Sequence, residues 1–232
     1  VSTQQLDLEG LRKSAREGNA KTLLILGLLI HVPAWTLYFW QGWLYLVIFG
    51  ICALVITRYF LKHDPALIAS RLKAGPGAER EKSQKWIQGA ASIIGCVMFV
   101  VPGIERHFTG LPLPVWLVIF AEFLVIVGFW IMFLAFCENG HASSIIEVKS
   151  GQKVISSGPY AWVRHPMYSG AVVLFLATPL ALGSLWALPL AVVLSAVIAV
   201  RLLEEERYLK ANLPGYEGYC GKVKSHLIPG VW

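Results

Sequence analysis

Charge is what this sequence has least of. Only 15% of its 232 residues are Asp, Glu, Lys or Arg, against about 25% in soluble globular domains. Hydrophobic residues reach 56% and the mean hydropathy is +0.60. Such an apolar excess cannot all enter one core, so a bilayer must take up the rest. A soluble enzyme, a disordered chain and a disulfide-stapled secreted module are excluded. Cysteine is scarce too: Cys52, Cys96, Cys137 and Cys220 form no C-x-x-C pair, and Cys52 and Cys96 lie inside apolar runs. No zinc site, disulfide framework or other metal centre is expected. Residues 1–19 are polar and show no apolar core of a cleavable signal peptide. Ionisable groups in mid-span are also missing, apart from Glu122, which argues against a channel or transporter. The net charge of +6 would suggest nucleic acid in a soluble protein. In a membrane protein it reports the cytoplasmic bias of Lys and Arg, and no nucleic-acid partner is expected.

What is present is a series of apolar runs. A spanning helix needs about 20 mostly apolar residues. The run at 22–60 is twice that and is interrupted at Gln41-Gly42, between Trp40 and Trp43, residues suited to the membrane interface. Two helices are therefore expected, at 22–40 and 43–61. Further runs lie at 86–104, 114–136, 166–182 and from 185 to about 201, the last two parted by Gly183-Ser184. Residues 6–18 are expected to form a surface helix with Leu6, Leu8 and Leu11 on its weak apolar side. The expected fold is an all-α polytopic membrane helix bundle of about six spans. It divides into an N-terminal segment (1–21), N-terminal membrane helices (22–136) and a C-terminal region (137–232).

In that arrangement, nineteen of the twenty Lys and Arg residues fall on one face. The N-terminal tail, the segment 58–85, the segment 137–165 and everything after Val200 share it, and only Arg106 lies opposite. The positive-inside rule makes this face, with both termini, cytosolic.

Two segments on this face are richer in polar and turn residues than connectors need. The first contains G-P-Y-A-W-V-R-H-P-M-Y-S-G at 158–170. Gly158-Pro159 marks a turn, and Pro166 suits the first position of a helix, where its missing N–H costs nothing. Arg164 and His165 would then stand at a helix N-terminus. Unpaired amides and the helix dipole favour an anion there, unless Arg164 merely snorkels to headgroups and His165 caps the helix. The second segment is R-L-L-E-E-E at 201–206, followed by L-P-G-Y-E-G-Y at 213–219 and L-I-P at 227–229. Arg201 and Glu205, four apart, share a helical face, while Glu204 and Glu206 point elsewhere.

Together these motifs, in this order and spacing, resemble the isoprenylcysteine carboxyl methyltransferase family and its bacterial and archaeal relatives over residues 138–229. The resemblance implies an S-adenosylmethionine pocket on the cytosolic face, roofed by the C-terminal segment. Carried over position by position, it puts cofactor contacts on Gln152, Lys153, Val154, Ile155, Tyr160, His165, Pro166, Met167, Tyr168 and Glu205. Arg201 takes the acceptor contact, and Arg201 and Glu205 are the catalytic pair; Glu147 is a looser candidate. The implied partner is a lipophilic or prenylated acceptor within membrane lipid. The physical chemistry agrees. The cofactor's carboxylate suits the helix start, its sulfonium suits the faces of Tyr160 and Tyr168, and an ionised carboxylate acceptor needs no general base. A small thiol, which would need Glu205 or His165 as base, and a phospholipid amine are alternative acceptors. The C-terminal arrangement also looks distantly like the NADPH-dependent membrane sterol reductases, for which Lys149, Lys153, Arg164 and Arg207 would be the phosphate-binding cations.

Overall fold

A computed structural model describes residues 7–72, 82–110, 113–140 and 153–232, and among these residues the fold is all-helical. The elements are α1 (Leu8–His31), α2 (Trp40–His63), α3 (Pro65–Leu72), α4 (Lys82–Phe108), α5 (Val115–Glu138), α6 (Pro166–Ala181), α7 (Leu188–Asn212) and α8 (Tyr216–Lys222). A 3-10 turn at Gly158–Ala161 precedes α6. Three helices, Trp40–His63, Gln84–Phe108 and Val115–Glu138, are long and apolar enough to cross a membrane. At about 1.5 Å per residue each exceeds the ~30 Å hydrocarbon layer. The apolar α6, of 16 residues, falls short of it. Large apolar side chains stand exposed around the bundle, among them Leu24, Ile51, Trp116, Phe123 and Val192, an outer surface that only lipid or another apolar partner can cover.

The first two helices differ from expectation. Leu8–His31 is one continuous helix, so the surface helix and the first span merge, and position 21 falls inside it. Asp7 caps its start, accepting from the Gly10 amide at 3.0 Å. The helix stops at His31 rather than near 40 because Pro33 has no N–H to extend the ladder beyond Val32 N–H to Leu28 O. Gln41 and Gly42 are not the break. Both are buried in the first turn of α2, where a Cβ on Gly42 would come within 2.8 Å of Ile30 Cγ2. Gly42 is there for close helix approach.

The core lies among α1, α2, α5 and α6, with Ile30, Tyr45, Val125, Phe129 and Leu174 buried in one cluster. α5 and α6 meet at glycines. A Cβ on Gly128 would lie 2.8 Å from Gly170 O, and one on Gly170 2.6 Å from Gly128 O. Small residues of this kind let membrane helices touch through their backbones. Glu122 on α5 is buried, and neither carboxylate oxygen has a partner among the described residues.

The α6–α7 turn is fastened from α4: Glu105 accepts from the Ser184 hydroxyl and from Trp186 N–H at 3.0 Å. Gly183 there has φ +69°, a left-handed conformation that glycine adopts without strain. α7 then runs well past residue 201, so the acidic cluster is carried on a helix.

Candidate active site at the charged end of the bundle

The motif at 158–170 folds as its residues dictate. Gly158 adopts φ +55°, Pro159 opens the 3-10 turn, and the chain runs out to Pro166, the first residue of α6. Two amides ahead of the helix, which have no intrahelical acceptor, are met by the C-terminal tail. Arg164 N–H donates to Ser225 O at 2.9 Å and His165 N–H to His226 O at 3.0 Å. Ser169 Oγ donates to Leu227 O at 2.7 Å. The tail is thus strapped across the start of α6.

Beneath the strap lies a buried ionic cluster. Arg164 Nε donates to Glu206 Oε1 at 2.6 Å and its Nη2 to Oε2 at 3.3 Å. Its Nη1 reaches Val223 O at 2.9 Å and Lys224 O at 3.0 Å, and Nη2 also donates to His226 Nε2. His165 Nε2 meets Glu206 Oε1 at 3.0 Å. Burial alone would raise the Glu206 pKa. The hydrogen bonds from His165 and Arg164, with their charges, outweigh it and hold the carboxyl at about 2. Arg164 therefore neither snorkels nor stands open to an anion; it ties α6, α7 and the tail together. Glu206 was expected to point elsewhere and is the centre of the cluster. One turn of helix carries residues 204, 205 and 206 in three directions, and the inward one could not be chosen before its cationic partners were placed. His226, 20 residues further on, gave no signal in the sequence at all.

A second network faces the bundle. Tyr168 donates to Glu205 Oε2 at 2.7 Å, and Arg201 Nε donates to the same phenol oxygen at 3.1 Å. Arg201 and Glu205 do share a face, joined by the Tyr168 hydroxyl. Arg201 Nη1 also donates to Gln84 Oε1 at 3.2 Å, and the Gln84 amide donates to Glu204. Gln84 reads in the sequence as an ordinary polar residue at a helix start. Next to this network an apolar cavity of about 400 Å³ opens between α4, α6 and α7, lined by Met98, Phe175, Leu194 and Ile198 with Arg71, Tyr168 and Arg201 at its polar end.

Tyr160 closes the opposite side. Its hydroxyl accepts from Asn139 Nδ2 at 3.2 Å, and its carbonyl accepts from Tyr219 Oη at 2.7 Å. Burial first, then the Glu205 and Glu138 charges, push its pKa up to about 12 against the Asn139 bond and Arg71. Tyr160 stays a neutral phenol. Val154 packs with Leu213, Tyr216, Tyr219 and Val223 under the tail; Ile155 is half-buried and Lys153 exposed. Pro166 is buried, and Met167 takes both Arg71 Nη atoms on its sulfur at 3.6 Å. Gln152, Glu147 and Lys149 lie outside the described residues.

Comparison with a protein-family model falls on this same region. Residues 116–214, the stretch from α5 to the end of α7, match the sequence model of the phospholipid methyltransferase family. The chain is also 33% identical over 93 residues to the lamin-B receptor of Drosophila melanogaster, which covers 38% of this chain and 12% of that protein. The chain thus spans a small part of the length of that relative.

Proposed function

We propose that this chain is an S-adenosylmethionine-dependent integral membrane methyltransferase whose acceptor is lipophilic, with the carboxylate of an isoprenylcysteine-like molecule as the acceptor class. The observation that carries the reading is the Arg201–Tyr168–Glu205 network at the polar end of an apolar cavity, within the stretch that matches a methyltransferase family. A polar head and an apolar tail are what such a site accommodates.

The donor set fits the cofactor. Tyr160 and Tyr168 offer ring faces for a sulfonium, and Glu205 stands outside the Arg164–Glu206 cluster as an acceptor for ribose or adenine. On the tail, His226 Nδ1 is buried with no partner among the described residues. When bound, S-adenosylmethionine supplies a methyl group on a cationic sulfur. The protein's own part is positioning and exclusion of water. Arg201 offers a planar fork to the acceptor's carboxylate, the Tyr168 hydroxyl fixes Arg201 against Glu205, and α8 with the tail covers the site. No side chain has to take a proton, because the acceptor is already ionised at neutral pH. On this reading the charged end is cytosolic.

The family match favours one other acceptor, a phospholipid amine. An amine must lose a proton, and Glu205 is the carboxylate placed to receive it. The nicotinamide reading has lost a cation: Arg164 is engaged by Glu206 and two tail carbonyls, and Lys153 and Arg207 are exposed. The test is purified protein with methyl-labelled S-adenosylmethionine and a panel of prenylcysteine acid, phosphatidylethanolamine and alkyl thiol. Label is expected in the acid. Absence of cofactor binding by calorimetry, or NADPH oxidation with a sterol in place of labelling, would overturn the proposal.

A further inference from the structure

Arg71 lies outside the matched stretch and is not among the site residues that the resemblance implies, although the run from Asp64-Pro65 through Arg71 also has the look of that family, and it faces the same cavity. Asp64 Oδ1 caps α3 by accepting from Leu67 N–H at 3.1 Å. Leu67 and Ile68 are buried against Ala15, Phe60 and Phe136, which fixes how the two-turn helix is rolled. An arginine on a surface helix would normally carry its guanidinium out to water. This one is turned inward. Its Cζ lies 4.2 Å from the centroid of the Phe136 ring, and Nη1 and Nη2 each sit 3.6 Å from Met167 Sδ. The ring face and the sulfur are among the contacts that hold the fork. The Tyr168 and Tyr160 hydroxyls are near enough to act on its charge, against the burial that lowers its pKa. Arginine remains a cation even so.

Two guanidinium groups, Arg71 from α3 and Arg201 from α7, therefore line the polar end of one apolar cavity, and Tyr168 lines it with them. Its volume of about 400 Å³ falls within the roughly 300–1,000 Å³ typical of small-molecule sites. We propose that Arg71 and Arg201 together receive the anionic headgroup of the lipophilic acceptor, with its apolar tail lying in the cavity walled by α4 and α7. This rests on the methyltransferase reading and adds to it that Arg71, carried on α3, is a second cation that selects the anionic headgroup. The anion is a carboxylate or a lipid phosphate, which share the same fork chemistry.

The test separates headgroup binding from reaction. The full chain is placed in phosphatidylcholine nanodiscs, and equilibrium binding is measured for N-acetyl-farnesylcysteine, its carboxamide and phosphatidylethanolamine, without turnover. Wild type is expected to favour the acid over the amide by about tenfold or more, in line with charge-assisted hydrogen bonds. Arg71→Gln should erase most of that preference while S-adenosylmethionine affinity stays within about twofold. Arg71→Lys, which keeps the charge without the fork, should retain part of it and carries the test if Arg71→Gln melts early. Loss of phosphatidylethanolamine binding in Arg71→Gln, with no acid preference in wild type, would support the site with phosphate as its anion. A folded Arg71→Gln with unchanged acid preference and unchanged acceptor KM overturns the proposal and leaves the reaction standing. Arg71-dependent acid binding with no methyl transfer to any acceptor supports the headgroup site and overturns the reaction.

Discussion

Glu206 is the residue on which the C-terminal tail depends, because its carboxylate holds Arg164 and His165, and Arg164 in turn donates to His226 and to two tail carbonyls. A carboxyl held at about 2 instead of 4.5 binds fewer protons folded than unfolded. Its contribution to stability is therefore complete above pH 4.5 and is lost as pH falls toward 2. His226 acts in the same direction, since burial, with Arg164 and His165 beside it, lowers its pKa below 6.5 despite Glu206. Acid weakening should begin below pH 6.5 and deepen below 4.5, followed as proteolytic release of the tail in detergent. Glu206→Gln should remove the second phase and lower stability at pH 7 by about 3–5 kcal/mol, the cost of leaving a buried cation unpaired. Arg201 and Glu205 predict a different signature. Arg201→Lys should raise acceptor KM with cofactor affinity near wild type, and Glu205→Gln should do the reverse. Cofactor loss in Arg201→Lys with normal acceptor dependence would reverse the two roles. Residue types in the motif were legible in the sequence because turn and helix-start chemistry is local. Glu206's partners, Gln84 and Arg71 were not, because each meets the site across a long stretch of chain.

At the scale of elements, apolar length located five helices near their observed positions and placed the first too far along the chain, because helix ends are set by features that hydropathy averages away. Pro33 ends α1 at His31, nine residues before Trp40, which looked like the boundary, and Gly42, which resembled a turn, is a helix contact. The same ambiguity applies to Gly128 and Gly170, which in sequence are just two more glycines in apolar runs. In the fold each faces the other's backbone, and a Cβ at either would stand under 3.0 Å from a carbonyl. The neighbour is main chain, so it cannot swing aside as a side chain would. Gly170→Leu should therefore push α6 off α5 and displace His165 and Tyr168 at its start. The expected outcome is a melting temperature well below wild type and loss of cofactor binding together. Gly89→Ala is the control, since nothing lies within 4 Å of that position. It should leave both unchanged. An intact melting temperature in Gly170→Leu would show that the α5–α6 contact is looser than the fold describes.

For the whole molecule, two opposite ends can be recognised from contacts alone. At one, the first half of α1, α3 and the ends of α2 and α5 form a cluster around Phe60 and Phe136, and the start of α4 meets α7 through Gln84 and Arg201. At the other, Gly103 of α4 abuts Ile30 and Ala34, and Glu105 holds the α6–α7 turn. Arg164, Arg201 and Glu206 belong to the first end, and Arg106 to the second. The charge asymmetry read from the sequence therefore coincides with a physical polarity of the bundle. We propose from the positive-inside rule that the first end faces the cytosol. The free cysteines Cys52, Cys96, Cys137 and Cys220 are first replaced, because Cys137, exposed at the charged end of α5, would react once the membrane is opened. Single cysteines are then introduced at Thr109, just beyond α4 at the second end, and at Ser150. A membrane-impermeant maleimide added to intact cells should label Thr109→Cys and spare Ser150→Cys until the membrane is opened. Labelling of Ser150→Cys in sealed cells, with Thr109→Cys protected, would invert the molecule and put the Arg201–Glu205 network on the side where cytosolic S-adenosylmethionine cannot reach it. That outcome would remove the proposed reaction along with the topology, so the labelling should precede any kinetic work.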